Sequence, residues 1–331
     1  MTAHDGRTGR VAESLSRAGV PADRITGWAP LAGGTYNDLY GVELVDGVRL
    51  VLKVPPSPDL PRLTYERELL RGEAQFYASA AVAGVPAPRV LHSEPDEAGP
   101  GSPFLLMTHC PGTPWALGAG APAGAERDRL RSRLGALVAR SHTVPGPGFG
   151  YPSGSTGPLT DRWATAFAAM TDAVLADAEL HRPWLPRDVP SIRAALAAAA
   201  PALDEVRTPA LVHFDLWPGN VLLDGAEGER EISALIDGER MVWGDPLADF
   251  ASLSLFDTAA ERDAAFLAGY GAGGGRTDFD ATALRRIALY RCYLYLIMLV
   301  EVAPRGSDAD RRRWVREFVG PRLEAALTAL L

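Results

Sequence analysis

Apolar and polar positions alternate in the segment "VRLVLKVPP". Leu50, Leu52 and Val54 fall on one face, and Arg49, Val51 and Lys53 fall on the other. That period of two marks a strand. "YNDLYGVELVDG" reads as a strand before it, and Asp46-Gly47 between them predicts a hairpin turn. "RLTYERELLRGEAQFYASAAVAG" changes to the helical period, with Leu69, Leu70, Phe76 and Tyr77 on one side. "VPAPRVLHSE" and "SPFLLMTHC" predict further strands, so the first hundred residues read as strands with one helix. From about residue 110 the pattern is helical: "GAERDRLRSRLGALVARSHTV", "DRWATAFAAMTDAVLADAEL" and "PSIRAALAAAAPALDEV" predict helices around a Gly/Pro/Ser loop, "PGPGFGYPSGSTGP". "LVHFDLWPGNVLLDGAEGEREISALIDGE" predicts a loop and a strand pair, and mostly helix follows. The expected architecture is α+β with two lobes and a cleft between them. A small sheet lobe takes residues 1–108, and a larger, mostly helical lobe takes 109–331 with a helical insert at about 150–206.

Composition narrows the function. Apolar residues make up 47% of the chain and charged residues 22%, ordinary values for a globular protein. The net charge of −8 argues against a nucleic-acid partner. The acid excess sits at residues 151–240, with 14 acidic residues against 7 arginines. This predicts either a solvated acidic surface or a cleft that draws in a cationic small molecule. Asp224, Glu227, Glu229 and Glu231 fall in the predicted strand pair and are expected to be exposed. Cys110 and Cys292 have no metal-ligand spacing and imply no disulfide framework. No apolar run opens the chain. "YLYLIMLVEVAP", bracketed by Arg291 and Glu301, is too short to span a membrane and predicts a buried helix. A cytoplasmic protein with no membrane partner is expected. "YGAGGGRTD" has no strand before it and predicts a flexible connection, not a phosphate loop.

Lys53 is the only lysine; every other basic residue is arginine. A codon bias explains the arginines but not the exception. In "HFDLWPGN" Asp215 and Asn220 share one short loop, and Asp237 follows in "ALIDGERMVWGDPLADFA". Phosphoryl transfer from a nucleotide needs three things. A carboxylate orients the acceptor hydroxyl, oxygen ligands hold Mg²⁺, and a cation steadies the α- and β-phosphates. Asp215 meets the first need, Asn220 and Asp237 the second, and Lys53 the third. Lysine suits a narrow phosphate site because its ammonium is compact where guanidinium is a wide plane. Glu73 shares a helix face with Leu69, Leu70 and Phe76 and is the expected partner of Lys53, with Glu68 the alternative. The competing reading makes Lys53 an edge residue with a snorkelling stem.

These motifs resemble the aminoglycoside phosphotransferase family, which includes choline kinase-like and other small-molecule kinases. The resemblance covers about residues 28–256 and implies a protein-kinase-like fold, with Asp215 the catalytic base and Asn220 and Asp237 the Mg²⁺ ligands. "LAGGTYNDLY", with Gly33, Gly34 and Thr35, looks like the family's nucleotide-covering loop. Met107 is placed like the residue leading into a nucleotide hinge, so the backbone around Thr108–Cys110 is expected to bind the purine of ATP or GTP. Two positions depart from the pattern. Trp217 stands where many members have His, and Gly238 stands where many have an aromatic residue before the Glu. His213 is expected to fix the loop by hydrogen bonds and Asp249 to brace its backbone. His142 is expected to pack at a helix end. Asp161, Trp163, Asp172 and Glu179 could touch the acceptor, but ordinary surface or core roles are expected of each. The implied activity is transfer to a hydroxyl acceptor, either an antibiotic or a metabolite. The alternative is a nucleotide-binding scaffold without catalysis.

Overall fold

The computed structural model describes residues 3–31, 36–99, 101–115, 120–255 and 259–330. The small lobe is built on five antiparallel strands, β1 (Ile25–Pro30), β2 (Asp38–Leu44), β3 (Arg49–Val54), β4 (Val90–Glu94) and β5 (Phe104–Thr108), in the order β1-β2-β3-β5-β4. The Asp46-Gly47 turn sets the register of β2 on β3, so that Leu39 faces Lys53 and Tyr40 faces Leu52. Across β3 the next pairing is Lys53 with Leu105 of β5. Leu50, Leu52 and Val54 bury one sheet face against Phe104, Leu106 and two residues of α1 (Ala3–Arg17), Val11 and Leu15. That first helix was not expected. Its apolar stripe is narrow, and it gains stability only by lying on the sheet.

α2 (Leu69–Val82) covers the opposite face through Phe76 and Tyr77. It starts later than the helical period at residue 62 predicts. Thr64–Glu66 forms a separate 3₁₀ turn, in which the Glu66 carboxylate accepts the Leu63 N–H at 2.7 Å. Glu68 then takes a left-handed conformation, φ 54°, which breaks the run. Asp177 holds the turn from the other lobe by accepting the Thr64 N–H at 2.7 Å.

Beyond β5 come β6 (Thr113–Pro114) and the helices α3 (Gly124–His142), α4 (Trp163–His181) and α5 (Val189–Ala199). β7 (Ala210–Val212), β8 (Val221–Asp224), β9 (Glu231–Leu235) and β10 (Val242–Gly244) follow and form two small sheets, β6-β8-β9 and β7-β10. α6 (Leu247–Ser252), α7 (Ala264–Ala272), α8 (Ala281–Val300), α9 (Ala309–Trp314) and α10 (Gly320–Thr328) complete the lobe. α8 is apolar nearly all round because it is the centre of the core, with Tyr290, Tyr293, Leu294 and Ile297 fully buried. No described helix is long and apolar enough to cross a membrane.

Candidate active site

β3 carries Lys53 to the floor of the cleft, where its side chain is 3% exposed. Nζ lies 2.7 Å from Glu73 Oε2, 2.5 Å from Asp237 Oδ1 and 2.7 Å from Glu239 Oε2. Glu68 is not in this cluster; it pairs with Arg71 at 2.9 Å, near the surface. The inward face of α2 explains the difference, because Glu73 sits there with Phe76 and Tyr77. Tyr77 locks the arrangement. Its hydroxyl donates to Glu73 Oε1 at 2.6 Å and accepts the Asp237 N–H at 3.0 Å. Asn37 Nδ2 donates to Glu239 Oε2 at 2.6 Å.

Three carboxylates thus surround one ammonium. Burial pushes Glu239 up to about 7, with Asp237 and Glu73 adding to the push and Lys53 opposing it. Burial also raises Glu73 against the pull of Lys53. Asp237 goes the other way: burial acts upward, but the adjacent ammonium outweighs it and holds the carboxyl below its usual range. Burial acts to lower Lys53, yet its three acidic neighbours lift it well above the ordinary lysine value. The cluster holds more acid than one lysine neutralises. A point-like ammonium can meet carboxylates on three sides at these distances, and a planar fork cannot.

The second element is the loop between β7 and β8. Phe214 adopts φ 61°, a strained left-handed conformation for a bulky residue. Asp249 of α6 braces it. Oδ1 accepts the Phe214 N–H at 2.8 Å, and Oδ2 accepts the His213 N–H at 3.2 Å. Ser252 Oγ accepts the Leu216 N–H at 3.1 Å. His142, the last residue of α3, reaches Asp249 Oδ2 at 3.1 Å and the Tyr270 hydroxyl at 2.9 Å. His213 Nδ1 accepts the Asp215 N–H at 3.2 Å, so its proton is on Nε2, which donates to the Ile236 carbonyl at 2.9 Å. Both ring nitrogens of His213 are therefore engaged, one with the loop and the other with the segment after β9. Asn220 Nδ2 donates to the Asp215 carbonyl at 2.8 Å.

Asp215 projects beside Arg240, with Nη1 3.5 Å from Oδ1. Burial raises the Asp215 carboxyl, Arg240 pulls it back, and Asp237 raises it again. Arg240 Nη2 lies 3.6 Å from Glu301 Oε2, and Arg240 Nε is buried without a partner among the described residues. Glu73, Asp237 and Glu239 each bring a carboxylate oxygen within 4.8 Å of the others, an oxygen-only donor set that suits Mg²⁺. The surplus acid around Lys53 also fits a divalent cation. The Asp237 side chain is 39% exposed, so that carboxylate is open to the cleft.

The remaining candidates are scattered. Gly33, Gly34 and Thr35 lie outside the described residues. Thr108 ends β5, where its Oγ1 accepts the Arg89 N–H at 2.9 Å, and Met107 is buried beside it. Cys110 is a half-buried free thiol raised by burial. Trp163 is core, donating to the Tyr290 hydroxyl at 2.7 Å. Asp172 pairs with Arg193 on the surface, and Asp161 and Glu179 are exposed. Asp224, Glu227, Glu229 and Glu231 are exposed along the β8–β9 hairpin. The sequence reading did not single out Asn37, Tyr77, Arg240 or Glu301 for the site. Arg240 had a signal, since it stands three residues after Asp237. Glu301 had none.

A five-stranded lobe set over a helical lobe, with lysine and carboxylates gathered where they meet, defines a protein-kinase-like α+β fold. Residues 27–290 match the family described as "Phosphotransferase enzyme family", and the chain belongs to it. Among solved structures it is similar to macrolide 2′-phosphotransferase MphH from Brachybacterium faecium, with 20% identity and a TM-score of 0.59 over 97% of this chain and 98% of that one. It is similar to aminoglycoside phosphotransferase APH(4)-Ia, with 18% identity and a TM-score of 0.64 over 98% and 99% of the two chains. These likenesses are of fold. Mouse "Acyl-CoA dehydrogenase family member 10" is 27% identical over 226 residues. The match takes 66% of this chain but spans only 19% of the length of that relative.

Proposed function

We propose that this protein moves the γ-phosphoryl group of ATP or GTP to a hydroxyl of a small-molecule acceptor. In this reading Asp215 is the base. It takes the proton as the acceptor oxygen bonds to phosphorus, and the bond from phosphorus to the leaving β-phosphate oxygen breaks. Lys53, oriented by Glu73, meets the α- and β-phosphates. Asn220 and Asp237 hold Mg²⁺, with Glu239 completing the acidic wall. Mg²⁺ supplies charge neutralisation on the phosphates. Thr108 and Cys110 offer their backbone to the purine.

One observation carries the reading: Lys53 Nζ stands 2.5 Å from Asp237 Oδ1, while Asn220 is bonded to the Asp215 backbone. Both contacts support reading the four residues as parts of one site. Structures of similar fold are recorded with AMP-PNP and hygromycin B and with GDP and kanamycin, which favours a nucleotide donor here. The biological role that best suits such an enzyme is inactivation of an antibiotic, as resistance or self-protection.

Incubating the protein with Mg²⁺-ATP, Mg²⁺-GTP and a panel of hydroxyl compounds tests the reading by mass spectrometry. A phosphate-sized gain that disappears with Asp215→Ala is expected. An Asp215→Ala protein as active as the parent overturns it.

A further inference from the structure

The chain crosses from β1 to β2 between Leu31, whose N–H donates to the Leu39 carbonyl at 2.8 Å, and Asp38, which pairs with Val54 of β3. Tyr36 and Asn37, at the end of this crossing, both reach the larger lobe. The Arg305 guanidinium carbon lies 4.7 Å from the centre of the Tyr36 ring. Asn37 goes deeper. It is 8% exposed, and its Nδ2 donates to Glu239 Oε2 at 2.6 Å, across 202 residues of chain. Lys53 Nζ lies 2.7 Å from that same oxygen. Two donors, one at the start of β2 and one on β3, thus meet on a single atom of the larger lobe.

The contact calls for a neutral amide. A carboxylate at position 37 would repel Glu239, which already shares its surroundings with Glu73 and Asp237. A lysine or arginine there would neutralise Glu239 and draw it away from Lys53. An amide supplies an N–H without a charge, so it fixes the carboxylate and leaves its pull on the ammonium intact. The other half of the amide is not satisfied. Asn37 Oδ1 is buried without a hydrogen-bond partner among the described residues. A buried carbonyl left unpaired costs stability, which offsets part of what the Nδ2 bond contributes to the fold. What the amide secures is the place of Glu239 beside Lys53.

We propose that Asn37 is a positioning residue for nucleotide binding, acting through Glu239 on the Lys53 ammonium. The inference rests on the phosphotransferase reading above, in which Lys53 meets the α- and β-phosphates. Without the amide, Glu239 Oε2 keeps only the contact with Lys53 among the described residues, and the carboxylate is free to turn with the ammonium. A nucleotide must then restore an arrangement that the parent protein holds before binding.

Lys53 is the only lysine, so protein made with isotope-labelled lysine carries a single labelled side chain. The test titrates the whole chain with Mg²⁺-AMP-PNP and Mg²⁺-GMP-PNP well below its melting temperature. It follows Kd together with the lysine resonance. In Asn37→Ala, Kd is expected to rise about tenfold or more, the loss that goes with a hydrogen bond to a charged group. The lysine resonance is expected to differ from that of the parent before nucleotide is added. Asn37→Gln keeps the amide but moves it by one methylene, and a smaller rise in Kd is expected; this variant carries the test if Asn37→Ala does not fold. A lower melting temperature with an unchanged Kd makes Asn37 a structural residue only and overturns the proposal. A raised Kd with an unmoved lysine resonance overturns it too, because Asn37 then acts without Lys53. A parent protein that binds neither nucleotide defeats the phosphotransferase reading along with it.

Discussion

Gly238 lies directly beneath the ring of Phe76: a Cβ at position 238 would stand 2.5 Å from Phe76 Cδ1. The same ring meets His213 edge-on, with centroids 4.7 Å apart. Position 238 lacks the aromatic residue that many similar motifs carry, and α2 supplies a ring in that space. α2 also sits close because Gly72 has no Cβ, which would be 2.9 Å from the Glu239 carbonyl. Gly238→Ala is therefore expected to cost about 1–3 kcal/mol by overpacking. Adding Phe76→Leu should recover part of that loss, which chemical denaturation of the single and double variants will measure.

Among the described residues, Lys53 is the only counter-ion at hydrogen-bond distance from Glu73, Asp237 and Glu239 together. Lys53→Met leaves buried carboxylates without their cation, and a loss of about 3–5 kcal/mol is expected. Lys53→Arg keeps the charge but not the shape, and turnover should fall. Urea midpoints at one fixed pH and steady-state rates measure the two effects separately; an unchanged midpoint in Lys53→Met removes the energetic role given to the cluster.

Asp215→Asn should reduce kcat by about 10²–10⁴, the usual contribution of a positioned base. Nucleotide affinity should hardly change, since Asp215 is assigned to the acceptor side. Arg240→Gln removes the cation 3.5 Å from that carboxylate and should also lower kcat. Calorimetric titration with a non-hydrolysable nucleotide, beside the rate measurements, distinguishes lost chemistry from lost binding.

Asp249 gives the pH dependence. Burial alone would raise its carboxyl, but the hydrogen bonds from His142 and from the Phe214 N–H hold it below the ordinary aspartate value. A folded value below the unfolded one stabilises the protein above the unfolded value, near 3.9. That stability is lost as pH falls through the folded value. Asp249→Asn should flatten this acid-side slope and release the strained Phe214 turn. Melting curves across the acid range will show whether the slope belongs to this residue.

Mg²⁺ and nucleotide bind only the folded chain in the proposed scheme. A free Mg²⁺-nucleotide concentration 100 times Kd should add about 2.7 kcal/mol of stability. Chelating the metal should cancel most of the gain, and Asp237→Ala should abolish the response. Equal protection by nucleotide with and without the metal would count against the assigned ligands.

Legibility in the sequence differed by residue. Strand β3 and the inward face of α2 were readable because period-2 and period-3.6 patterns are local properties of a few consecutive residues. The pairing of Lys53 with Glu73 followed from that face alone, and Glu68 fell outside it. α1 was not readable, because Val11 and Leu15 acquire a helical role only by covering the sheet. The start of α2 was misplaced because Glu66 and Glu68 end the helical run through backbone contacts that propensity does not contain.

By itself the sequence determined the local frame. It contains one lysine on a strand, a glutamate on the buried side of a helix, and an Asp215–Asn220 spacing that puts a carboxylate and an amide on one short loop. Only the tertiary structure decided what each group meets. It brought Asp237 to Lys53 across 184 residues of chain, made Glu239 a third neighbour of the ammonium, and set Arg240 between Asp215 and Glu301. The reason is that alternation and helical period fix which way a side chain faces. Charge pairing in a dry cleft depends on which distant segments the packed core forces together.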